Sequence, residues 1–315
     1  MSRYREADLS RLTVGSVKDR PTRVSVEQFA GPLEPAAART LIRSMPDQLA
    51  ARALREAIVR VAAAHRAGRP VIAMVGGHVV KVGASPCLIA LMEARVIRHL
   101  AMNGSAAIHD VEIAREGRTS EDVEEQLHAG RFGMVDETGD FMNRAMAVGS
   151  DRAEGLGEAW GRALEEARPP HAAASLLAAA WRLGIPATVH VAIGTDTIHH
   201  HPGCDGAALG EMTLRDFRIL ASTLSEARGA AVLNFGSAVI MPEVFLKALA
   251  VARNLGADLA DLTTVNFDQI QHYRPRVNVV ERPTRAKGAR GIALTGHHEI
   301  MLPLFAAALL AEIGG

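Results

Sequence analysis

The sequence predicts an α/β fold, with a doubly wound, Rossmann-like parallel sheet and helices on both faces. Short apolar runs such as 71–75 and 230–235 alternate with longer segments of helical periodicity, and continuous apolar strands are typical of parallel sheets. Most of these runs end in glycine or polar residues just before a helix, as in βα units. We therefore expect one α/β domain over residues 1–315.

The elements follow in a regular order. Apolar spacing predicts an amphipathic helix after Asp47, and Gly68 ends it. Strand 71–75 ends in Gly76-Gly77, and Ser85-Pro86 begins the next helix. A second strand, glycine turn and helix lie within 99–114. Later strands are predicted at 188–193, 230–235, 259–265 and 291–296.

Two segments are expected to depart from this rhythm. Prolines 21, 32 and 35 favour an irregular N-terminal arm over about residues 1–45. Polar, acidic sequence predicts a mostly exposed helical insertion over about residues 117–171. Both segments would lie outside the main α/β repeat.

Composition limits the classes of function. Lys+Arg and Asp+Glu balance at 35 each, so no basic surplus indicates nucleic acid or an anionic membrane as partner. We expect a small-molecule ligand instead. Cys87 and Cys204 form no CxxC pattern, and neither a signal peptide nor a membrane-length apolar run is present. These features predict a cytoplasmic protein.

The densest group of titratable residues follows strand 188–193. Carboxyl ends of parallel strands form ligand crevices, so this loop is a candidate site. His199 and His201 are candidate catalytic bases, although side chains in a run of three histidines diverge and at most two can serve one site. Candidate substrate contacts in the same stretch are Asp196 and Glu211.

Other candidates follow the remaining strands. The pair His109-Asp110 and Glu112 could be site residues or belong to the first turn of a helix. Asp268 lies in a polar cluster that could equally be a surface loop. His297, His298 and Glu299 open the last helix, where they could act in catalysis or cap it. We expect His199 and His297 to border one crevice at the carboxyl edge of the sheet. Glycine turns could approach a dinucleotide, but none fits GxGxxG, and generic turns would look the same.

A divalent metal is possible. His190, Asp196, His199 and His201 could together hold one, although their spacing matches no familiar ligand motif. A metal-assisted hydrolase or lyase that uses the histidine-rich loop is therefore the alternative function. A third alternative is a non-catalytic scaffold.

The chain resembles the deoxyhypusine synthase family. Residues 202–212, PGCDGAALGEM, are similar to the family's aspartate-glycine-serine-leucine-glycine-aspartate-methionine run. Residues 232–268 and 291–312 resemble its glycine-rich segment, its threonine-containing strand and its closing strand and helix, in the same order. The likeness extends more loosely to 71–77 and 101–110, where the chain also resembles an archaeal-type ornithine cyclodeaminase domain.

The resemblance implies an NAD-dependent transferase or oxidoreductase that acts on a polyamine or amino-acid-type amine. It also implies a homotetramer with sites at subunit interfaces. Carried over by position, the residues that would line the NAD site are Gly76, Gly77, Asn103, Gly104, Asp205, Gly206, Gly236 and Thr264.

The departures from the family concern its chemistry. Val239-Ile240-Met241 replaces the family's lysine-histidine-histidine, and Glu281-Arg282-Pro283 replaces its tryptophan-glycine-lysine. An imine requires a neutral amine, which arginine cannot supply. Lys81 and Lys287 lie nearby but outside the motif. We therefore expect an NAD-binding enzyme that acts on a small amine without making deoxyhypusine efficiently.

Overall fold

The computed structural model describes residues 3–314. Its strands are β1 (Thr22–Ser25), β2 (Val71–Val75), β3 (His99–Asn103), β4 (Arg118–Glu121), β5 (Ala187–His190), β6 (Ala231–Phe235), β7 (Thr263–Asp268) and β8 (Arg290–Thr295). Its first helices are α1 (Pro35–Ser44), α2 (Leu49–Arg66), α3 (Gly77–Lys81), α4 (Ser85–Glu93), α5 (Gly104–Glu116), α6 (Val123–His128) and α7 (Asp136–Asp151). The later helices are α8 (Leu156–Ala167), α9 (Leu176–Leu183), α10 (Gly206–Ser225), α11 (Ile240–Asn254), α12 (Tyr273–Pro275, followed by a π-helical turn over Arg276–Glu281) and α13 (His298–Ile313).

Six strands form one parallel sheet in the order β5-β3-β2-β6-β7-β8. Counted along the chain within this sheet, the order is 3-2-1-4-5-6, which is that of dinucleotide-binding doubly wound folds. The two halves of the sheet meet at the neighbouring strands β2 and β6, and the chain crosses from one half to the other between β5 and β6. The predicted fold class is confirmed.

Apolar side chains cover both faces of the sheet. On one face Phe235, Phe267 and Phe305 pack together, with the stacked pair Phe235 and Phe267 4.8 Å apart between ring centroids. On the other face Ile72 and Phe245 are buried in a second core under α10 and α11. Continuous apolar strands are explained by this double cover.

The N-terminal segment is more regular than its prolines indicate. β1 pairs antiparallel with β4, and α1 packs against α13. Before β1, the Ser16 hydroxyl and the Val17 amide donate hydrogen bonds to Glu137 on α7. Short polar motifs therefore attach the arm to the domain, which the expectation of irregular structure missed.

The segment 117–171 is helical but not mostly exposed. Trp160, Met142 and Leu164 are fully buried in the main core, and the Trp160 indole donates to the carbonyl of Met142 at 2.9 Å. The acidic residues occupy the outer faces of α7 and α8. The buried faces carry apolar residues at helical spacing, which the sequence interpretation missed because the segment is rich in acidic residues.

The later strands deviate from their predicted bounds. β5 ends at His190, and the apolar residues up to the exposed Ile193 belong to a loop. β8 lies at a sheet edge and alternates between buried and exposed residues.

Within residues 3–314 no helix is both long and apolar enough to span a membrane.

Candidate active site at the carboxyl edge of the sheet

Two glycine turns meet where the strand order reverses. A Cβ on Gly76, after β2, would lie 2.3 Å from the carbonyl oxygen of Gly236, after β6. Gly236 has φ of +64°, and its own added Cβ would lie 2.5 Å from Nε2 of His298. Glycine is required at both positions because the two backbone turns and the imidazole are in contact.

Gly77 and Gly104 face a second group of residues. A Cβ on Gly77 would lie 2.4 Å from Ser105 Oγ, and one on Gly104 would lie 2.1 Å from Asp196 Oδ2. The adjacent residues Gly76 and Gly77 therefore border two different groups of residues. Gly76 faces the group that follows β6 to β8, and Gly77 faces the group that follows β3 and β5.

The second group lines a cavity of about 230 Å³ beside α5, which we call the α5 cavity. Its charged and titratable lining residues are Arg20, Lys81, His109, Glu112, Glu121 and Asp196. Arg20 comes from the N-terminal arm and Glu121 from β4, so the segments assigned to an arm and an insertion complete this cavity.

Hydrogen bonds fix the orientation of His109. Its Nδ1 lies 2.7 Å from Thr119 Oγ1, and the Thr119 hydroxyl donates to Glu112. Glu112 also accepts from Arg20 at 2.8 Å. Burial, with Lys81 and Arg20 nearby, lowers the pKa of His109 to about 3. The imidazole is therefore neutral at physiological pH.

Asp196 lies in the wall of the α5 cavity beside His199. Nδ1 of His199 accepts from the amides of Gly194 and Asp196, so the proton of the neutral ring is on Nε2. Nε2 is buried, has no hydrogen-bond partner within residues 3–314, and lies 3.8 Å from Asp196 Oδ2. Burial raises the pKa of Asp196 to about 6.

The three consecutive histidines point to different partners. His200 Nε2 lies 3.1 Å from the carbonyl of Gly133, and His201 Nε2 lies 3.2 Å from Asp136 on α7. His199 is the member of the run that faces Asp196. His201 therefore lies against the start of α7.

Unpartnered polar atoms mark the other half of the edge. Asn234 donates to Asn266 and to the carbonyl of Ser237, but its buried Oδ1 has no hydrogen-bond partner among the residues that the structure describes. His298 Nε2 packs against Gly236 and is also buried, with no hydrogen-bond partner in the described part of the chain. Burial, followed by His78, lowers the pKa of His298, while Asp268 and Glu299 raise it. Asn234 Oδ1 and His298 Nε2 are thus two polar atoms next to the Gly76 turn that could bind a ligand.

Four residues expected at the site lie elsewhere. Both Asp110 oxygens accept bonds from Ser175, Leu176 and Leu177 at the start of α9. Thr264 is fully buried near the amino end of β7 and donates to the Val279 carbonyl at 2.6 Å. Neither side chain is available to a ligand, so these two predictions are wrong. Asp205 caps α10, and the exposed Glu211 pairs with Arg215.

His199 and His297 do not share one site. They follow β5 and β8, which are the two edge strands of the sheet. His297 is exposed and lies 3.7 Å from Glu299, also exposed. The prediction that both histidines border one crevice is therefore wrong, because the reversal of strand order at β2 carries the two halves of the chain in opposite directions.

The metal alternative has no ligand set in the part of the chain that the structure describes. Within residues 3–314, no three His, Cys, Asp or Glu side chains are grouped so that they could hold a metal ion. His190 lies against Thr188 at 3.0 Å, and the three histidines diverge as described. Cys87 and Cys204 are free thiols.

Several cavity residues were not predicted. Arg20, Glu121 and Thr119 belong to segments remote in sequence from the strand ends. Ser105 carries a signal that the sequence does show, since it lies four residues before His109 on the face of α5 that also holds the predicted candidate Glu112. Lys81 was noted only as a lysine near the first glycine turn.

Comparison with known proteins gives likeness of fold. No protein-family model and no curated protein matches the chain. Among solved structures, ArgZ, an arginine dihydrolase from the ornithine-ammonia cycle in cyanobacteria, matches with 14% identity and TM-score 0.52 over 83% of this chain and 33% of that chain. AgrE in a ternary complex with ornithine and NAD+ matches with 14% identity and TM-score 0.51 over 83% and 32%.

An Entamoeba histolytica protein named for deoxyhypusine synthase also matches, with 11% identity and TM-score 0.47 over 76% of this chain and 74% of that chain. This chain spans about a third of the length of ArgZ and AgrE. The similarity to ArgZ and AgrE is one of fold alone and agrees with the predicted doubly wound α/β class.

Proposed function

We propose that this chain is an NAD-binding enzyme that acts on a small amine. The dinucleotide would bind across the carboxyl ends of the neighbouring strands β2 and β6. The observation that carries this proposal is the pair of buried, unpartnered atoms, Asn234 Oδ1 and His298 Nε2, beside the glycine turns where the strand order reverses. Buried polar atoms in native proteins are normally hydrogen-bonded. Two buried atoms without hydrogen-bond partners, at the point where the strand order reverses, therefore favour a bound ligand.

The residues present fit a dinucleotide. Gly76, Gly77 and Gly236 expose turn backbone at the edge, while Asn234 and His298 would bind polar atoms of the ligand. When bound, NAD supplies hydride acceptance. The protein would orient the ligand and keep His109 and His298 neutral by burial.

Two further facts support the proposal. AgrE, which has a similar fold, has been crystallised with ornithine and NAD+, and the α5 cavity adjoins the same glycine turn with carboxylates that suit an amine. A metal-assisted reaction receives no comparable support.

NAD+ titration by calorimetry tests the proposal. We expect wild-type protein to bind NAD+ and His298→Ala to bind it at least about tenfold more weakly, with His297→Ala as control because His297 is exposed and lies outside this group. Circular dichroism and thermal unfolding would verify that both variants fold. Failure of folded wild-type protein to bind millimolar NAD+, or equal binding by both variants, would contradict the proposal.

Efficient deoxyhypusine formation is not part of this function. Val239 precedes α11 and Arg282 follows the π-helical turn, where the family has its histidine pair and lysine segment. Incubation with spermidine, NAD+ and the acceptor protein should give no efficient transfer of the aminobutyl group. Robust transfer would show that the family's lysine has been placed at the wrong position in this chain, or that Lys287 replaces it.

A homotetramer remains part of the proposal. Large apolar side chains are exposed in the segments that follow β6, β7 and β8, among them Val239, Ile270, Tyr273 and Ile300. Exposed apolar side chains of this kind favour a protein interface. Light scattering coupled to size-exclusion chromatography should give four times the monomer mass, whereas a monomer would contradict this assignment.

A further inference from the structure

The outer edge of β8 exposes backbone groups that the rest of the described chain leaves unpaired. The amide of Gly296, directly after β8, donates to the carbonyl of Asp268 in β7. Because alternate residues of a strand direct their backbone groups to opposite sides, the amides of Gly291, Ala293 and Thr295 point away from β7. None of these three amides has a hydrogen-bond partner within residues 3–314, and Ala293 and Thr295 are exposed.

The usual protection of an edge strand is missing at β8. Proteins block such edges with prolines, bulges or projecting charges, because an open edge pairs with other strands. The sequence of β8, RGIALT, contains no proline, and its register with β7 is unbroken. Its single charged residue, Arg290, donates to both carboxylate oxygens of Glu56 on α2, at 2.8 and 2.9 Å. The charge that could guard the edge is therefore held by α2.

Apolar surface lies beside this edge. Glu56 contacts Arg290 at the start of β8, so its face of α2 borders the strand. Val59 and Ala63 lie three and seven residues after Glu56, on the same helix face, and both are exposed. The open edge of β8 and the apolar residues of α2 therefore form one continuous surface, which favours a protein partner over solvent.

A second copy of β8 fits this edge better than an arbitrary strand does. If two copies run antiparallel with Ala293 opposite its own counterpart, Gly291 lies opposite Thr295 of the second copy. All the outward amides and carbonyls of these residues are then paired, with about six hydrogen bonds in the ladder. Alanine at the twofold axis leaves room for the two strands to approach. The edge is thus complementary to itself, as an interface between identical subunits requires.

The charges at the two ends of β8 favour the same arrangement. Arg285 and Lys287, before β8, are exposed and make no ion pair within residues 3–314. Glu299, after β8, is also exposed. Antiparallel pairing brings the basic end of one strand beside the acidic end of the other, whereas parallel pairing would bring like charges together.

We propose that β8 is a dimer interface, at which two copies of this chain join their six-stranded sheets into one continuous sheet. The face of α2 that carries Val59 and Ala63 would pack at its flank. The interface takes no residue from the Gly76 and Gly236 turns, so it does not depend on NAD+ binding. It supplies one of the interfaces of the proposed homotetramer and would serve equally in a dimer.

Opposite charges at Ala293 test the pairing. Ala293→Lys and Ala293→Glu each place like charges directly across the twofold axis, which opposes pairing. Light scattering at low ionic strength should give each variant half the mass of the wild-type oligomer, and an equimolar mixture of the two variants should restore the full mass. Ala250→Lys, at an exposed alanine on α11, is the matched control and should keep the wild-type mass.

Amide hydrogen exchange tests the strand pairing itself. In the wild-type oligomer the amides of Gly291, Ala293 and Thr295 should exchange slowly, although the single chain gives them no partner. In Ala293→Lys they should exchange rapidly. If Ala293→Lys does not fold, Ala293→Pro gives the same comparison, because proline removes an outward amide and no bond to β7.

Three outcomes would overturn the interface. They are a monomeric wild type, Lys and Glu variants that keep the wild-type mass, and rapid exchange of the three amides in a wild-type oligomer. A monomer that pairs β8 with a strand of another protein falls under the first outcome. Half-mass variants in a protein that binds no NAD+ would support the interface and refute the proposed cofactor, so the two proposals fail separately.

Discussion

Thr119 connects His109 to Glu112 and thereby determines which nitrogen of His109 carries the proton. The Thr119 hydroxyl has one hydrogen, which it donates to Glu112. Its oxygen can then only accept from His109 Nδ1, 2.7 Å away. His109 Nε2 is left with a lone pair in a residue that lines the α5 cavity.

Replacing Thr119 by valine should release this tautomer. Valine keeps the β-branched shape but can neither donate to Glu112 nor accept from His109. Long-range nitrogen-proton NMR spectra of His109 should show protonated Nδ1 in wild type and a tautomer mixture in Thr119→Val. Thr119→Ser restores the hydroxyl and should restore the wild-type spectrum. A spectrum unchanged by valine would show that the hydroxyl does not select the tautomer.

A second buried network makes stability depend on pH. His99 Nδ1 lies 2.9 Å from Thr223, which donates to the Ile219 carbonyl, and His99 Nε2 lies 3.0 Å from Thr188. Thr223 therefore accepts from Nδ1, and Nε2 accepts from Thr188. Burial lowers the pKa of His99 to about 3. The folded protein thus keeps a neutral ring where the unfolded chain would bind a proton.

Acidification should weaken the wild type more than His99→Gln. The folded pKa is lowered from 6.5, so stability is lost as pH falls below the unfolded value, by about 2 kcal/mol between pH 7 and pH 5. Glutamine does not titrate, and the opposite contribution of Asp216, whose pKa is raised to about 7 by burial, is common to both proteins. Urea unfolding at both pH values should show the stability difference narrowing on acidification; a constant difference would contradict the assignment.

Two aspartates cap helices in different environments, which gives a matched pair. Asp110 is fully buried and accepts three hydrogen bonds at the start of α9. Asp205 is exposed and caps α10 through the amides of Ala207 and Ala208. Asp110→Ala should cost about 3 kcal/mol because it leaves buried donors unpaired, and Asp205→Ala about 1 kcal/mol. Equal losses in denaturant unfolding would contradict this difference in role.

Strands could be predicted where local sequence decides them. Runs 71–75 and 230–235 are mostly apolar and ended by glycine, and β2 and β6 match them to within one residue. Strand β5 was extended too far, because Val191 to Ile193 remain apolar although the chain has already left the sheet. Only the tertiary fold places that turn, with Gly194 at φ of +96°.

The site was predictable in part. Residues His109 and Asp110 are neighbours on α5, yet one lines the cavity and the other caps α9. Their order in the sequence does not show which side faces a ligand. The sequence could not place Arg20 and Glu121 in the cavity for another reason, because their positions depend on the pairing of β1 with β4. Contacts between segments far apart in sequence carry no local pattern.

The last prediction concerns the contact between the turns at Gly76 and Gly236. A Cβ at Gly76 would lie 2.3 Å from a backbone carbonyl oxygen, which cannot rotate away as a side chain could. Gly76→Ala must therefore push the two turns apart, and overpacking of this kind costs about 1–3 kcal/mol. Because the same turns form the proposed dinucleotide edge, NAD+ binding should fall at least about tenfold.

Gly206→Ala is the control for this substitution. Gly206 also belongs to the predicted cofactor set, but an added Cβ there meets no atom within 4 Å, and alanine suits the first turn of α10 better than glycine does. Its stability should be unchanged or slightly higher, and its NAD+ affinity unchanged. Thermal unfolding and calorimetry on both variants separate the effects. Loss of NAD+ binding in Gly206→Ala with Gly76→Ala unaffected would place the dinucleotide beside α10 and away from the β2 and β6 turns.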